Sequence, residues 1–411
     1  MIRQTLLALL LLSAAPVLAA EPDAGPLPTP LVEVALDDSP LVTEATAKLQ
    51  AAIADARALG IGSHEFMLSG TFMRRSVDGD RNYSEFDSTL SRGVRLPGKA
   101  ALDREAGALG VEVAENLLED ARHQAALQLG TLWLDWLLAD ADARIASDAA
   151  QSLDTAYVAV ARQLALRDAA PLDADQARAA RDSARAQAMA AKGRAVAARA
   201  ALAAHFPSLP LPDGAPPIAP PQLPAEGLAV WRDLVLERSH EIRASELEAK
   251  RLKVLADRAR LDRFADPSVG VRAFSERSGG ETGLGVVASM PLGGGYRRAM
   301  GDQATANRTA GEARLVATRR DITATANMDL ANATAGFAAW EAAAAAAQSS
   351  RATVARLRQG RRLGATDLAS LLYAERQALD ADRAELAARA AAVRAVLKLR
   401  IDAHLIWAKP E

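Results

Sequence analysis

The sequence predicts a mainly α fold with a small β part: long antiparallel helical hairpins joined to four short strands. Three observations carry this. Two alanine-rich segments without proline, residues 99–167 and 299–360, each run for about 60 residues or more, against an average helix of about twelve. A zone of period-two alternation precedes each of them. The same order of elements occurs twice along the chain, and such a duplication dictates the architecture.

Composition sets the limits. The chain has 411 residues, 50% hydrophobic and 4% aromatic, with a formal net charge of −2. Alanine favours helix and keeps helix contact surfaces thin. The charge balance offers none of the basic footprint that nucleic acid requires. With no cysteine, disulfides, thiolate chemistry and a lipid-anchored cysteine are all excluded.

The first 20 residues read as a signal peptide. Arg3 gives the positive start, Leu6 to Leu12 the apolar stretch and Val17-Leu18-Ala19-Ala20 the small residues for cleavage. No later stretch approaches the ~20 apolar residues of a membrane helix. An exported chain of this kind crosses a membrane only as strands. Residues 21–40 are expected to be a linker.

The first repeat is expected over residues 41–205 and the second over 226–405, with a tail at 406–411. "SPLVTEATAKLQAAIADARAL" (from Ser39) parallels "SHEIRASELEAKRLKVLADRARL" (from Ser239) as the leading helices. Hairpins follow at about 65–96 and 266–292. In the second, Val269, Val271 and Ala273 alternate with Gly270, Arg272 and Phe274. Leu284, Val286, Ala288 and Met290 alternate with Gly283, Gly285, Val287 and Ser289. In the first, Phe66, Leu68 and Phe72 share a face. Strands of about ten residues fit a tilted bilayer crossing. The alternation alone suits a soluble antiparallel sheet equally well. If the strands do span a membrane, four cannot close a barrel, so several chains must share one.

Pro97-Gly98 and Pro291 with Gly293-Gly294-Gly295 end the hairpins and turn the chain into helix. The glycine run lacks the Lys-Ser/Thr continuation of a phosphate loop. The long helices would each reach about 90–100 Å. The shorter leading and return helices add up to nearly that length, so two stacked end to end can flank each long one. The Pro-rich connector, residues 206–225, then falls part-way along the rod as a girdle.

Two turns close the far end, at 167–173 and 361–367. Gly364 permits a positive φ. Thr366 or Asp367 can cap the next helix, and Pro171 starts the first return helix.

With this plan, "GVVASMPLGGGYRRA" (from Gly285) and "RQGRRLGATDLASLLYAERQAL" (from Arg358), the mature chain resembles the TolC family of outer-membrane efflux channels. The resemblance implies a homotrimer whose chains give four strands each to a twelve-stranded membrane β-barrel, above a hollow periplasmic α-barrel. It implies location in the outer membrane of a Gram-negative cell, and contact with its lipid. It implies a periplasmic adaptor (membrane fusion) protein and an inner-membrane pump of RND type as partners, and no enzymatic activity or cofactor. Gly364, Ala365, Thr366, Leu368, Arg167 and Arg361 are the expected docking residues.

In similar channels acidic residues just after the second tip line the narrowest point. Ser370 and Tyr373 stand at the matching positions, so Asp173, Asp175 and Asp367 are the candidates for a negative ring. The compact length and missing anchor cysteine resemble the heavy-metal branch of the family. A type I protein secretion outlet is the alternative of the same fold. A periplasmic coiled-coil adaptor and an exported enzyme fit less well: two hairpins and two β zones oppose the first, and no acid–base or nucleophile set supports the second.

The histidines, His64, His123, His205, His240 and His404, are scattered in sequence with no metal-ligand spacing, and no metal site is expected. Met67 and Met73 lie too far apart for a copper clamp. Trp133, Trp136 and Trp340 are expected to fill gaps between helices. Phe66, Phe72, Tyr83, Phe86 and Phe274 are expected at membrane interfaces.

Overall fold

The computed structural model describes residues 27–408. The expected signal peptide, the first residues of the expected linker and the last three of the chain lie outside the described residues. The helices are α1 (Thr29–Asp37), α2 (Pro40–Ile61), α3 (Lys99–Ala165), α4 (Pro171–His205), α5 (Leu228–Arg238), α6 (His240–Leu261), α7 (Gly295–Arg362) and α8 (Leu368–Asp402). The strands are β1 (Phe66–Arg75), β2 (Tyr83–Gly93), β3 (Ser268–Glu276) and β4 (Glu281–Ser289).

Helices α3 and α7 have 67 and 68 residues, each about 100 Å long. The short helices stack along them as the length arithmetic requires. Both α2 and α4 pack against α3, and both α6 and α8 pack against α7. The halves join where α6 and α8 lie along the other side of α3. The sheet repeats this order, β1-β2-β3-β4, because α2 feeds β1, β2 feeds α3, α6 feeds β3 and β4 feeds α7. Close approach depends on small residues. A Cβ on Gly107 of α3 would sit 2.9 Å from Ala56 Cα of α2.

The main core lies part-way along the rod. Leu129, Trp133, Leu134 and Trp136 of α3 meet Leu202 of α4 and Leu386, Leu397 and Ile401 of α8. The Trp133 and Trp136 rings meet edge-on at 5.3 Å. Trp340 instead donates Nε1–H to Glu385 at 3.0 Å, bridging α7 and α8. The connector is a packed girdle. Phe206, Leu209 and Ile218 enter this core. Arg144 of α3 and Arg389 of α8 donate to the carbonyls of Ala215 and Ile218, both at 3.1 Å.

The stretch expected as a linker, 21–40, differs from the sequence reading. Its later part forms α1, with Val32 and Leu36 fully buried in the core and Asp37 paired with buried Arg122. One turn of apolar spacing, Val32-x-x-Ala35-Leu36, suffices when a groove is present to receive it.

Candidate functional site: the sheet faces and the helical tips

The four strands form one antiparallel sheet whose edges, β1 and β4, are unpaired among the described residues. Register sorts the side chains. Leu68 pairs with Leu90, Leu90 with Val271 and Val271 with Val286. Phe72 pairs with Phe86, and Ala273 with Leu284. One face is therefore a continuous apolar band. The other carries Ser69, Thr71, Glu85, Asp87, Thr89, Ser91, Arg272 and four glycines. Leu284 and Val286 are 78% and 85% exposed, so nothing among the described residues covers the band there. A sheet open on its apolar face and unpaired at both edges is not a stable arrangement in water. Alternation alone left a soluble sheet possible; this exposure argues against it.

Phe274 departs from the expected interface set. It lies on the polar face, over Gly283, where an added Cβ would come within 2.3 Å of its ring, with the Arg272 guanidinium 5.4 Å from its centroid. Met67 and Met73 also lie on that face. Tyr83 is buried and donates its hydroxyl to Asp80 at 2.5 Å.

A charged network locks sheet to rod, and sequence reasoning missed it. Lys99 opens α3 and is 1% exposed. Its Nζ lies 2.8 Å from Asp266 Oδ1 and 2.9 Å from Asp262 Oδ1, and donates to the Phe264 carbonyl at 2.7 Å. Asp266 also accepts from Leu96 N–H and contacts His64 Nε2, both at 3.0 Å. Burial pushes the Asp266 carboxyl up, but the hydrogen bonds from Lys99, Leu96 and His64 and the Lys99 charge outweigh it and hold the pKa at about 2. Arg95 caps the end of α2, donating to the carbonyls of Leu59, Gly60 and Ile61 at 2.7–2.8 Å, and pairs with Asp103. Arg297 does the same for α6 through the Asp262 carbonyl. The readable signal was a basic residue beside each strand-to-helix break.

At the other end both tips use the same turn. At the second, Gly364 has φ 73° and Ala365 N–H bonds the Gly360 carbonyl at 2.9 Å. At the first, Arg167 takes the glycine's place at φ 63°, and Asp168 N–H bonds the Gln163 carbonyl at 2.8 Å. These are Schellman closures. Asp367 is the cap of α8. It accepts from Ser370 N–H at 2.7 Å and Ser370 Oγ at 2.9 Å, and these bonds lower its pKa, the backbone bond most. Thr366 instead donates to the Leu357 carbonyl at 3.2 Å.

The other candidates separate. Leu368, expected on the docking surface, is 3% exposed and packs with Val160, Ala174 and Ala177. It ties the second tip to the first and is not available for contact. Asp173 is half-buried in the first turn of α4, and Asp175 is exposed. Tyr373 is exposed, its hydroxyl held 3.0 Å from Gln377 Nε2. Arg361 is half-buried and Ala365 exposed. A groove of about 870 Å³, lined by Ser152, Arg351, Arg358, Tyr373 and Asp382 among others, runs between the two hairpins above the tips.

Three of the five histidines, scattered in sequence, meet in space. His404 stacks on His240 at 4.7 Å and meets His123 edge-on at 5.5 Å. Among the described residues no group of three or more His, Asp or Glu side chains is arranged to hold a metal ion.

The sequence matches no protein-family model and no curated protein. Its fold does match solved structures. The chain is similar to a membrane protein from Pseudomonas aeruginosa, with TM-score 0.76 and 18% identity, over 91% of this chain and 89% of that one. It is similar to the outer membrane protein VceC of Vibrio cholerae, with TM-score 0.73 and 17% identity, over 91% and 95%. It is similar to the open state of the Neisseria gonorrhoeae MtrE outer membrane channel, with TM-score 0.73 and 19% identity, over 91% and 88%. The chain has the TolC-type outer-membrane channel fold: long helical hairpins carrying a four-stranded sheet.

Proposed function

We propose that this chain is the outer-membrane channel of a tripartite efflux system, a passive gated duct with most of its mass in the periplasm of a Gram-negative cell. The observation that carries this reading is the sheet, with an uncovered apolar band on one face, polar residues on the other and unpaired edges on both sides. Three copies joined edge to edge supply twelve strands, closing a barrel with lipid outside and water inside. The same rotation brings α7 of one copy beside α2 and α4 of the next. Of the 68 residues of α7, only Ala326, Asp329, Ala333, Ala347 and Val354 are buried within one chain.

The tips form the gate and, with the groove above them, the docking surface for a periplasmic adaptor. Gly364, Ala365, Thr366, Arg361 and Arg167 shape that surface. Asp173, Asp175, Asp367, Ser370 and Tyr373 are the constriction candidates. An inner-membrane pump of RND type supplies the energy, and the duct performs no chemistry. The pump sets the cargo, and the sequence resemblance favours metal ions over drugs.

A deletion strain and its complemented parent, grown against zinc, cobalt, cadmium, copper, silver, dyes and bile salts, test the role. Selective metal sensitivity supports a metal-export duct, and selective drug sensitivity makes it a multidrug outlet. Sensitivity to neither, with a protein missing from the medium, would replace efflux by type I secretion. Gating is tested separately. Because the chain has no native cysteine, an Ala365→Cys crosslink between copies reports on the tip alone. Efflux that survives the crosslink contradicts a gate there.

A further inference from the structure

Four arginines lie on the strands, and register divides them by face. Arg75 and Arg272 share the polar face, and each is paired. Arg75 Nη2 lies 2.6 Å from Glu85 Oε1, and Arg272 Nε donates to Asp87 Oδ2 at 2.6 Å. Arg74 and Arg92 share the other face with the apolar band. Both are exposed, and no carboxylate among the described residues pairs with either. The reason is register: the carboxylates of the strands, Glu85, Asp87, Glu276 and Glu281, all fall on the polar face. Arg92 Nε donates to the His64 carbonyl at 3.0 Å, and its guanidinium lies 4.9 Å from the Phe66 ring centroid. The Arg74 side chain makes no hydrogen bond among the described residues. A neighbouring copy adds no carboxylate. Set edge to edge against β1, its β4 presents Thr282, Leu284, Val286 and Ala288 on that face.

The spacing of the two is a second observation. Arg92 pairs with Phe66 at the rod end of the band, and Arg74 lies eight residues further along β1. Eight residues span about 26 Å of strand, or about 20 Å of bilayer depth at the tilt of a membrane barrel. Between them, this face of β1 and β2 holds no charged residue. Long side chains reaching outward from both ends bring the guanidiniums to the edges of an apolar belt about 25 Å tall. We propose that Arg74 and Arg92 bind the phosphate groups of membrane lipids, one at each headgroup level, and so fix the depth of the barrel in the bilayer. The inference rests on the channel reading, which places this face in lipid. Phosphate supplies the counter-charge that the chain withholds, and its oxygens match the paired N–H groups of a guanidinium.

Native mass spectrometry of the full chain in detergent, titrated with phosphatidylglycerol or with diacylglycerol of the same acyl chains, tests this. Phosphatidylglycerol should stay bound where diacylglycerol dissociates. Arg74→Gln and Arg92→Gln should each weaken phosphatidylglycerol binding by about tenfold, the worth of one hydrogen bond to a charged group. Arg272→Gln, which removes an arginine from the polar face, should leave it unchanged. A membrane-extracted trimer that retains both lipids equally overturns the phosphate assignment and leaves the channel reading standing. Gln variants that bind phosphatidylglycerol as the native chain does have the same meaning. A chain that stays soluble and retains neither lipid overturns both. If a variant fails to fold, the two-lipid comparison on the native chain decides alone.

Discussion

Lys99 and Asp266 join the two halves of the chain across 167 residues of sequence, Nζ to Oδ1 at 2.8 Å, with the lysine almost wholly buried. One residue starts the first long helix and the other precedes the third strand, so the pair fixes sheet against rod. Asp266→Ala should lower stability by about 3 kcal/mol, because a buried ammonium loses its main partner. Lys99→Met together with Asp266→Leu should cost less than the two single changes combined. Thermal melting in detergent reads both.

The same pair sets an acid limit. Asp266 titrates at about 2 in the folded chain, below its unfolded value of about 3.9. The unfolded state therefore takes up the proton first as pH falls. The stabilisation, about 2–3 kcal/mol, is intact above about pH 5 and is lost as pH drops through 2. Asp266→Asn should flatten that part of the stability profile.

His404 acts in a higher window. Burial, then the charges of His240, His123 and Arg238, lower its pKa to about 4, against about 6.5 when unfolded. Its contribution is present above pH 6.5 and falls away as pH approaches 4. His404→Asn, which suits the residue's φ of 56°, should remove this acid sensitivity. Melting curves between those pH values check it.

The tips invite opposite substitutions. Arg167→Gly should stabilise by about 1 kcal/mol, since a left-handed conformation costs a side chain about 1–2 kcal/mol. Gly364→Val should destabilise by a similar amount. Limited proteolysis at the tips ranks the three proteins.

Much of this was legible in the sequence. Proline-free alanine runs gave the long helices, and strict alternation gave β3 and β4. Gly364 and Asp367 announced their turn and cap through backbone and side-chain chemistry that is local. What stayed hidden depends on distant partners. Arg167 takes a left-handed turn that its side chain does not favour, because the packed hairpin closes around it. Leu368 reads as exposed tip until Val160 and Ala177 of the other hairpin cover it. His123, His240 and His404 meet only because stacked helices end at one level, which no spacing in the chain reveals.

The sheet faces make the sharpest mutational contrast. Val286→Arg, at the middle of the apolar band, should cost about 2–4 kcal/mol in a bilayer and reduce the amount of protein in the outer membrane. Thr89→Arg, on the polar face, should leave that amount unchanged and lower conductance in planar bilayers.

Whether three chains share one barrel is decided by native mass spectrometry of the detergent-extracted protein. A membrane-fraction species of three times the mass of the processed chain is expected. A single chain released into the soluble periplasmic fraction would contradict it.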